Sequence, residues 1–387
     1  MKNVYIVSAG RTPIGKMGGV LADLSAVNLG TLMIAELLKR AHVSADDVDE
    51  VLLGNVLQAG NGQNPARQAA LNAGLPNSVV ALTLNAVCGS GLESINQAAK
   101  LIAMGDIKVA IAGGMESMSN APYLLRKARF GYRLGNDELV DSMMNDALTD
   151  AFNNYPMGIT AENVATLKKV SKHEMDIFAI NSQNKAVLAQ TNGSFSEEII
   201  PVKISNKTIN LDEAPRPHLD INKLDNMKPA FKPDGVVTAA NSAGINDGAA
   251  GVLLMDEDTM HHLGLTPIAK WNYGTMAGID PTIMGLGPIN STQKLMEHES
   301  ISINDIDLFE VNEAFAAQAI PVISTLKIPT NKVNIHGGSI ALGHPVGASG
   351  ARILVSLIYA MKQKNAKTGV ATLCIGGGMG CSTLISR

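Results

Sequence analysis

Cys88 lies in LNAVCGSGLES, residues 84–94, among small residues. Apolar Val80, Leu82 and Leu84 lead in, and a helical pattern of Leu92, Ile95, Ala98, Ala99 and Ile102 leads out. The stretch therefore reads as a strand-to-helix corner. Ser90 and Glu93 have the spacing of a capping box, which predicts a helix starting at Ser90. Helix N–H groups and the helix dipole would then lie beside the sulfur and favour thiolate, the reactive form. Gly89 and Gly91 leave room for a substrate. Taken alone, the cysteine has a blander reading as buried filler, because free Cys is among the most buried residue types.

Other candidates occupy similar corners. His344, in NIHGGSIALGHPVGASGAR (334–352), stands between Gly343 and Pro345 just before a helical pattern. A histidine held in such a turn is a candidate general base. His336 reads as structural, adjoining a strand end. Cys374 ends the apolar run of TLCIGGGMGC (372–381) and precedes three glycines, whose backbone N–H groups could face an oxyanion. Cys381, in the following apolar strand, reads as core. Asn312 and Glu313, in VNEAFAAQ, follow apolar IDLFEV at another corner. Asn312 could donate through its amide or hold a water; the plainer alternative is a helix cap.

Strand-like and helical runs alternate around these residues, which reads as an α/β fold. VYIVSA precedes a helix with Val27, Ile34, Leu37, Leu38 and Ala41 on one face, and VDEVLLGNV and VAIAGGMES read as further strands. The chain also repeats itself. VSADDVDEVLLGNV (43–56) resembles ISINDIDLFEVNEA (301–314) at an offset of 258. Ser90-Gly91 matches Ser349-Gly350 at 259, and Gly113-Gly114-Met115 matches Gly377-Gly378-Met379 at 264. Two copies of one α/β unit are expected: 1–118 plus 248–267, and 268–387. Residues 119–247, with Met143, Met144, Met157 and Met175 and a Pro/Lys/Asp-rich stretch, read as an excursion inserted in the first copy. Its basic cluster Arg126, Lys127, Arg129 and Arg133 reads as a solvated face or subunit contact, or more sharply as a patch for an anionic substrate.

Several function classes are disfavoured. A net charge of −4 argues against nucleic acid as a partner. Three cysteines make no disulfide framework and point to a reducing compartment. No leader pattern or bilayer-length apolar run is evident, so a cytoplasmic protein without membrane association is expected. GRTPIGKM (10–17) nearly spells a phosphate-binding loop, but Met17 replaces the magnesium-binding hydroxyl and Pro13 removes a backbone N–H. It reads as a tight turn. No finger-type Cys/His spacing supports a metal, and no Cys-x-x-Cys supports a redox site.

Taken together, NAVCGSG, VNEAFA, GGSIALGHPVGASGAR and CIGGGMG resemble the four active-site loops of the thiolase family, and GRTPIG and NDGAA (246–250) resemble its other signatures. The resemblance spans essentially the whole chain, in order. It implies a duplicated core of two similar α/β halves, layered αβαβα, with an inserted loop domain for coenzyme A (CoA) binding and subunit contacts. Cys88 resembles the nucleophile that carries an acyl group. His344 resembles its base, and Cys374 the acid/base acting on the second acetyl-CoA methyl. Asn312 resembles the residue that, with His344, holds a water in one oxyanion hole; the N–H groups of Cys88 and Gly376 resemble the other.

The resemblance further implies acetyl-CoA, acetoacetyl-CoA and CoA as substrates, no cofactor or metal, a place in lipid metabolism, and a homodimer or homotetramer. Met157, in YPMGITAEN, and Met284, in IMGLGP, resemble residues that shorten the acyl pocket. Ala314 and Phe315, in VNEAFA, fall in a substrate-binding block, and Arg216 matches a basic residue near the CoA nucleotide. Two positions depart from the pattern: Pro156 stands where many short-chain members have His, and Ala243 where Ser is common. The expected reaction is the reversible Claisen condensation of two acetyl-CoA through an acyl-Cys88 intermediate. The alternatives are a degradative 3-ketoacyl-CoA thiolase, a decarboxylating condensing enzyme and a non-catalytic scaffold.

Overall fold

A computed structural model describes residues 1–387. Nine principal strands run in chain order as β1 (Val4–Arg11), β2 (Glu50–Gly54), β3 (Val80–Leu84), β4 (Val109–Ser117), β5 (Asn246–Asp256), β6 (Ala269–Gly278), β7 (Leu308–Val311), β8 (Thr368–Ile375) and β9 (Met379–Ser386). They join one sheet in the order β7-β8-β9-β6-β1-β5-β4-β2-β3, with Gly15–Lys16 paired to β5 as a tenth strand. The order is nearly palindromic. β1 and β6 pair antiparallel at its centre, and each flank repeats the other outward.

Three helical layers sandwich this sheet. α1 (Ala26–Ala41) and α2 (Pro65–Asn72) cover the first flank, where Leu29, Met33, Ile34 and Leu37 meet Val51, Leu53 and Ile111. The central layer is α3 (Ser90–Met104) against α9 (Val346–Lys364). Inserted helices α4 (Met157–Lys168) and α5 (Lys172–Thr191) lie against α7 (Ala316–Thr325), with α8 (Ser339–Leu342) beside α5. α6 (Gly287–Glu299) covers the second flank. Strand periodicity divides the core between layers. On β4, Ala110 and Ala112 face the central helices while Val109 and Ile111 face α1.

The repeat has a physical reason at Ser-Gly. Ser90-Gly91 opens α3 and Ser349-Gly350 lies in the first turn of α9, where the two helices touch. A Cβ on Gly91 would stand 2.9 Å from the backbone nitrogen of Ala351, and one on Gly350 would stand 2.5 Å from that of Leu92. Only glycine permits this approach. Each serine braces its own corner: Ser90 bonds Ala86 and Val87, and Ser349 bonds His344 and Pro345.

The third sequence match fails on register. Leu53 of β2 pairs with Gly113 of β4, and Val311 of β7 pairs with Thr372 of β8. Met115 is thus the counterpart of Cys374, and Gly113-Gly114 lie inside a strand. Gly377 and Gly378 instead make the turn between β8 and β9, both at φ of +88°. That short turn is the second copy's equivalent of the connection from Ser117 to Asn246. Buried Arg11 ties the connection to the core, bonding Glu198 at 2.6 Å and Asp212 at 2.7 Å.

Candidate active site

Cys88 follows a strained corner. Val87 is β-branched yet sits at φ of +46°, a conformation costing on the order of 1–3 kcal/mol. The Asn85 side chain accepts from the Val87 N–H, and Ser90 Oγ donates to the Val87 carbonyl. α3 does begin at Ser90, but without the expected capping box: Gly89 holds the cap position, and Glu93 turns to Asn96 and Gln97.

Cys88 Sγ lies 3.3 Å from His344 Nε2. On the ring's other side, His344 Nδ1 lies 2.6 Å from Ser349 Oγ, whose hydroxyl donates to the Pro345 carbonyl at 2.8 Å. The serine has one proton and has spent it on Pro345, so Oγ must accept from His344. Nδ1 therefore carries the imidazole proton, and the Nε2 lone pair faces the thiol. The His344 N–H donates to Asn246 Oδ1 at 2.9 Å, and Asn246 donates to the Gly15 carbonyl.

The expected resting thiolate is not what this environment favours. Burial pushes the Cys88 thiol up to about 11, and the buried Glu116 carboxylate adds to the rise. The N–H groups of Gly376 and of Cys88 itself pull the other way but do not overcome it. Burial, with the Arg352 charge behind it, pushes His344 down to about 4. The resting pair is a neutral thiol hydrogen-bonded to a neutral imidazole. The two N–H groups that act on the sulfur are those a tetrahedral oxyanion would need.

Cys374 is fully buried near the end of β8, its thiol driven well up by burial and by the proximity of Cys88. Met157, Met284 and Ala314 pack with it in one apolar cluster, joined at its edge by Phe315. A Cβ on Gly376 would lie 3.4 Å from both Met157 Sδ and Val87 Cγ1, so that glycine borders the same space. Ala243 is drawn alongside, its N–H donating to the Ala314 carbonyl at 2.9 Å. Asn312 is fully buried and is no helix cap, since α7 starts at Ala316 after Phe315.

Other candidates fall outside this cluster. Arg216 is exposed, its backbone N–H donating to Gln183. Arg126, Lys127, Arg129 and Arg133 are exposed, with Lys127 paired to Asp137. His336 packs edge-on against Phe195 in the turn before α8. Cys381 is core within β9, donating to Glu93. The sequence reading passed over Ser349, Asn246 and Glu116. The first two were visible in GASGAR and NDGAA, but only the fold shows what they hold. Glu116 accepts from Val56, Leu57, Asn55 and Gly347, fastening the start of α9 to the first half.

No helix is long and apolar enough to cross a membrane. The family model described as the thiolase N-terminal domain matches residues 4–258, and that of the thiolase C-terminal domain matches 265–387. A probable acetyl-CoA acyltransferase of Staphylococcus epidermidis is 50% identical, covering 100% of this chain and 99% of that protein. One from Staphylococcus aureus is 48% identical over the full length of both. The crystal structure of a Bacillus anthracis acetyl-CoA acetyltransferase superposes with a TM-score of 0.97 at 41% identity, covering 100% of this chain and 99% of that one.

Proposed function

The chain belongs to the thiolase family of acyltransferases, and from that premise we propose that it condenses two acetyl-CoA to acetoacetyl-CoA and CoA, reversibly, through an acetyl-Cys88 intermediate. The observation that carries the short-chain reading is the apolar cluster of Met157, Met284 and Ala314 around Cys374. Two methionines beside the second thiol leave little length for an acyl chain.

The chemistry balances in two half-reactions. His344 Nε2 takes the Cys88 proton as the sulfur attacks the first thioester carbonyl. The N–H groups of Cys88 and Gly376 receive the developing oxyanion. The new C–S bond forms, the bond to CoA breaks, and the departing CoA sulfur takes its proton from Cys374. A thiol driven up by burial is a weak acid, but its conjugate base is strong. That base removes a methyl proton from the second acetyl-CoA. Asn312 and His344 stabilise the enolate oxygen, through a water held between them. The enolate carbon attacks the acetyl carbonyl, Cys88 leaves, and His344 returns its proton. Both thiols and the imidazole end as they began.

Binding of the CoA arm falls to the two loops holding Ala243 and Phe315, which meet where Ser242 pairs with Phe315, with Arg216 at the nucleotide end. We further assign this chain a dimeric or tetrameric state. Edge strand β3 exposes Val80 and Leu82, and the excursion exposes Phe130 and Leu134, the apolar surfaces such an assembly would cover. The test of substrate is a thiolysis profile over 3-ketoacyl-CoA chain length. Activity should peak at acetoacetyl-CoA; a strong preference for a medium chain would replace this reading with a degradative thiolase.

A further inference from the structure

Asn312 is fully buried, and its amide Nδ2 has no partner in the protein. Leaving such a donor unmade costs about 1–3 kcal/mol, so its orientation needs a cause. Ser339, the first residue of α8 and also fully buried, supplies one. Its Oγ lies 2.6 Å from Asn312 Oδ1 and 2.6 Å from a terminal nitrogen of Arg352. A guanidinium can only donate. Ser339 Oγ must therefore accept from Arg352 and give its single proton to Asn312. The atom receiving that proton must be Oδ1, because the amide nitrogen cannot accept. The chain of bonds thus leaves both Nδ2 hydrogens free for a group the protein does not supply.

We propose that Ser339, held by Arg352, is a positioning residue for the condensation half-reaction. It fixes which face of the Asn312 amide meets the enolate oxygen or its bridging water. It also strengthens that donor. A hydroxyl donating to Oδ1 withdraws electron density from the amide and makes its N–H groups better donors, and the cation behind the hydroxyl reinforces the polarisation. Arg352 is suited to this role because it is not consumed by a close ion pair: its nearest carboxylate oxygen, on Glu310, is 3.5 Å away. The inference rests on Asn312 acting at the second thioester, as proposed above. It leaves the first half-reaction to Cys88, His344, the other pair of N–H groups and the Cys374 proton.

The two half-reactions separate the test. Ser339→Ala should acetylate Cys88 from acetyl-CoA at the wild-type rate. Its kcat for condensation should fall roughly tenfold to a hundredfold, as the Asn312 amide loses the hydroxyl that orients and polarises it, with KM nearly unchanged. Ser339→Thr, which keeps the hydroxyl, should recover most of the loss. Wild-type condensation in Ser339→Ala would overturn the proposal. So would an equal loss of acetylation and condensation, the mark of a generally disturbed site, with thermal unfolding reporting whether the fold itself was damaged. If the wild-type protein fails to condense acetyl-CoA, the reading of the whole site is refuted and this proposal falls with it; that result appears before any variant is made.

Discussion

At rest, the Cys88–His344 pair should be uncharged. The thiol sits at about 11 and the imidazole at about 4. Moving the proton between them as isolated groups costs on the order of 10 kcal/mol at about 1.36 kcal/mol per pH unit. The resulting charges would attract across 3.3 Å. At an effective dielectric of about 20, that attraction returns about 5 kcal/mol. The neutral pair keeps an advantage of about 5 kcal/mol, so roughly one molecule in a few thousand holds the ion pair. The perturbation that isolates Cys88 is Cys88→Ser. Thiolate ultraviolet absorbance, taken as wild type minus variant across pH, should be flat from about pH 6 to about pH 8. It should rise only near about pH 10 and above. A difference signal with a midpoint at or below about pH 7 would refute the reasoning, and would mean that the N–H groups and the α3 dipole outweigh burial after all.

Cys374→Ser should slow acetylation of Cys88 far less than condensation, because a CoA thiolate can depart without a proton whereas a methyl proton cannot leave without a base; condensation should fall about 10²–10⁴-fold, the range of a lost general base, and equal loss of both steps would show that Cys374 is misassigned. His336 is pushed down to about 4 by burial and by Lys364 and Lys185. The unfolded chain takes up its proton near about pH 6.5, before the folded one does, so His336 costs stability as pH falls from about 6.5 to about 4. Glu116 and Glu310, raised to about 7 and about 8, act in the opposite sense. The comparison must therefore be with His336→Asn: urea midpoints at pH 7 and pH 4.5 should show the wild type losing up to about 3 kcal/mol relative to the variant. A gap independent of pH would contradict the assignment. Gly350→Ala, whose Cβ would meet the Leu92 backbone at 2.5 Å, should destabilise by about 1–3 kcal/mol or more in the same assay, and an unchanged midpoint would mean the helix crossing can open.

Much of the architecture was legible because the repeat wrote it twice. Residues 43–56 and 301–314 fold alike, each a short helical turn followed by β2 or β7. The Ser-Gly match marked a real contact between α3 and α9. Gly113-Gly114-Met115 misled because glycine serves unlike purposes: inside β4 it permits close packing, and at Gly377-Gly378 it permits left-handed turns. At the site, corner position and residue type made Cys88, His344, Cys374 and Asn312 candidates, and only the resemblance of four ordered blocks gave them roles. The protonation state was not legible. Sequence shows a cysteine at a helix start, whereas the desolvation that raises its thiol comes from packing between elements far apart in the chain. Ser339 and Arg352 escaped for the same reason, since a bond from α9 to α8 to Asn312 exists only once the second half is folded.

The central claim is that Cys88 carries the acyl group between two half-reactions. It is tested most directly by mixing the protein with acetyl-CoA alone, quenching in acid, and locating the acetyl group by peptide mass spectrometry. The acetyl group should be found on Cys88 with release of one CoA per site, and it should vanish in Cys88→Ser. An acetyl group on Cys374 or Cys381, or condensation that proceeds undiminished in Cys88→Ser, would contradict the account.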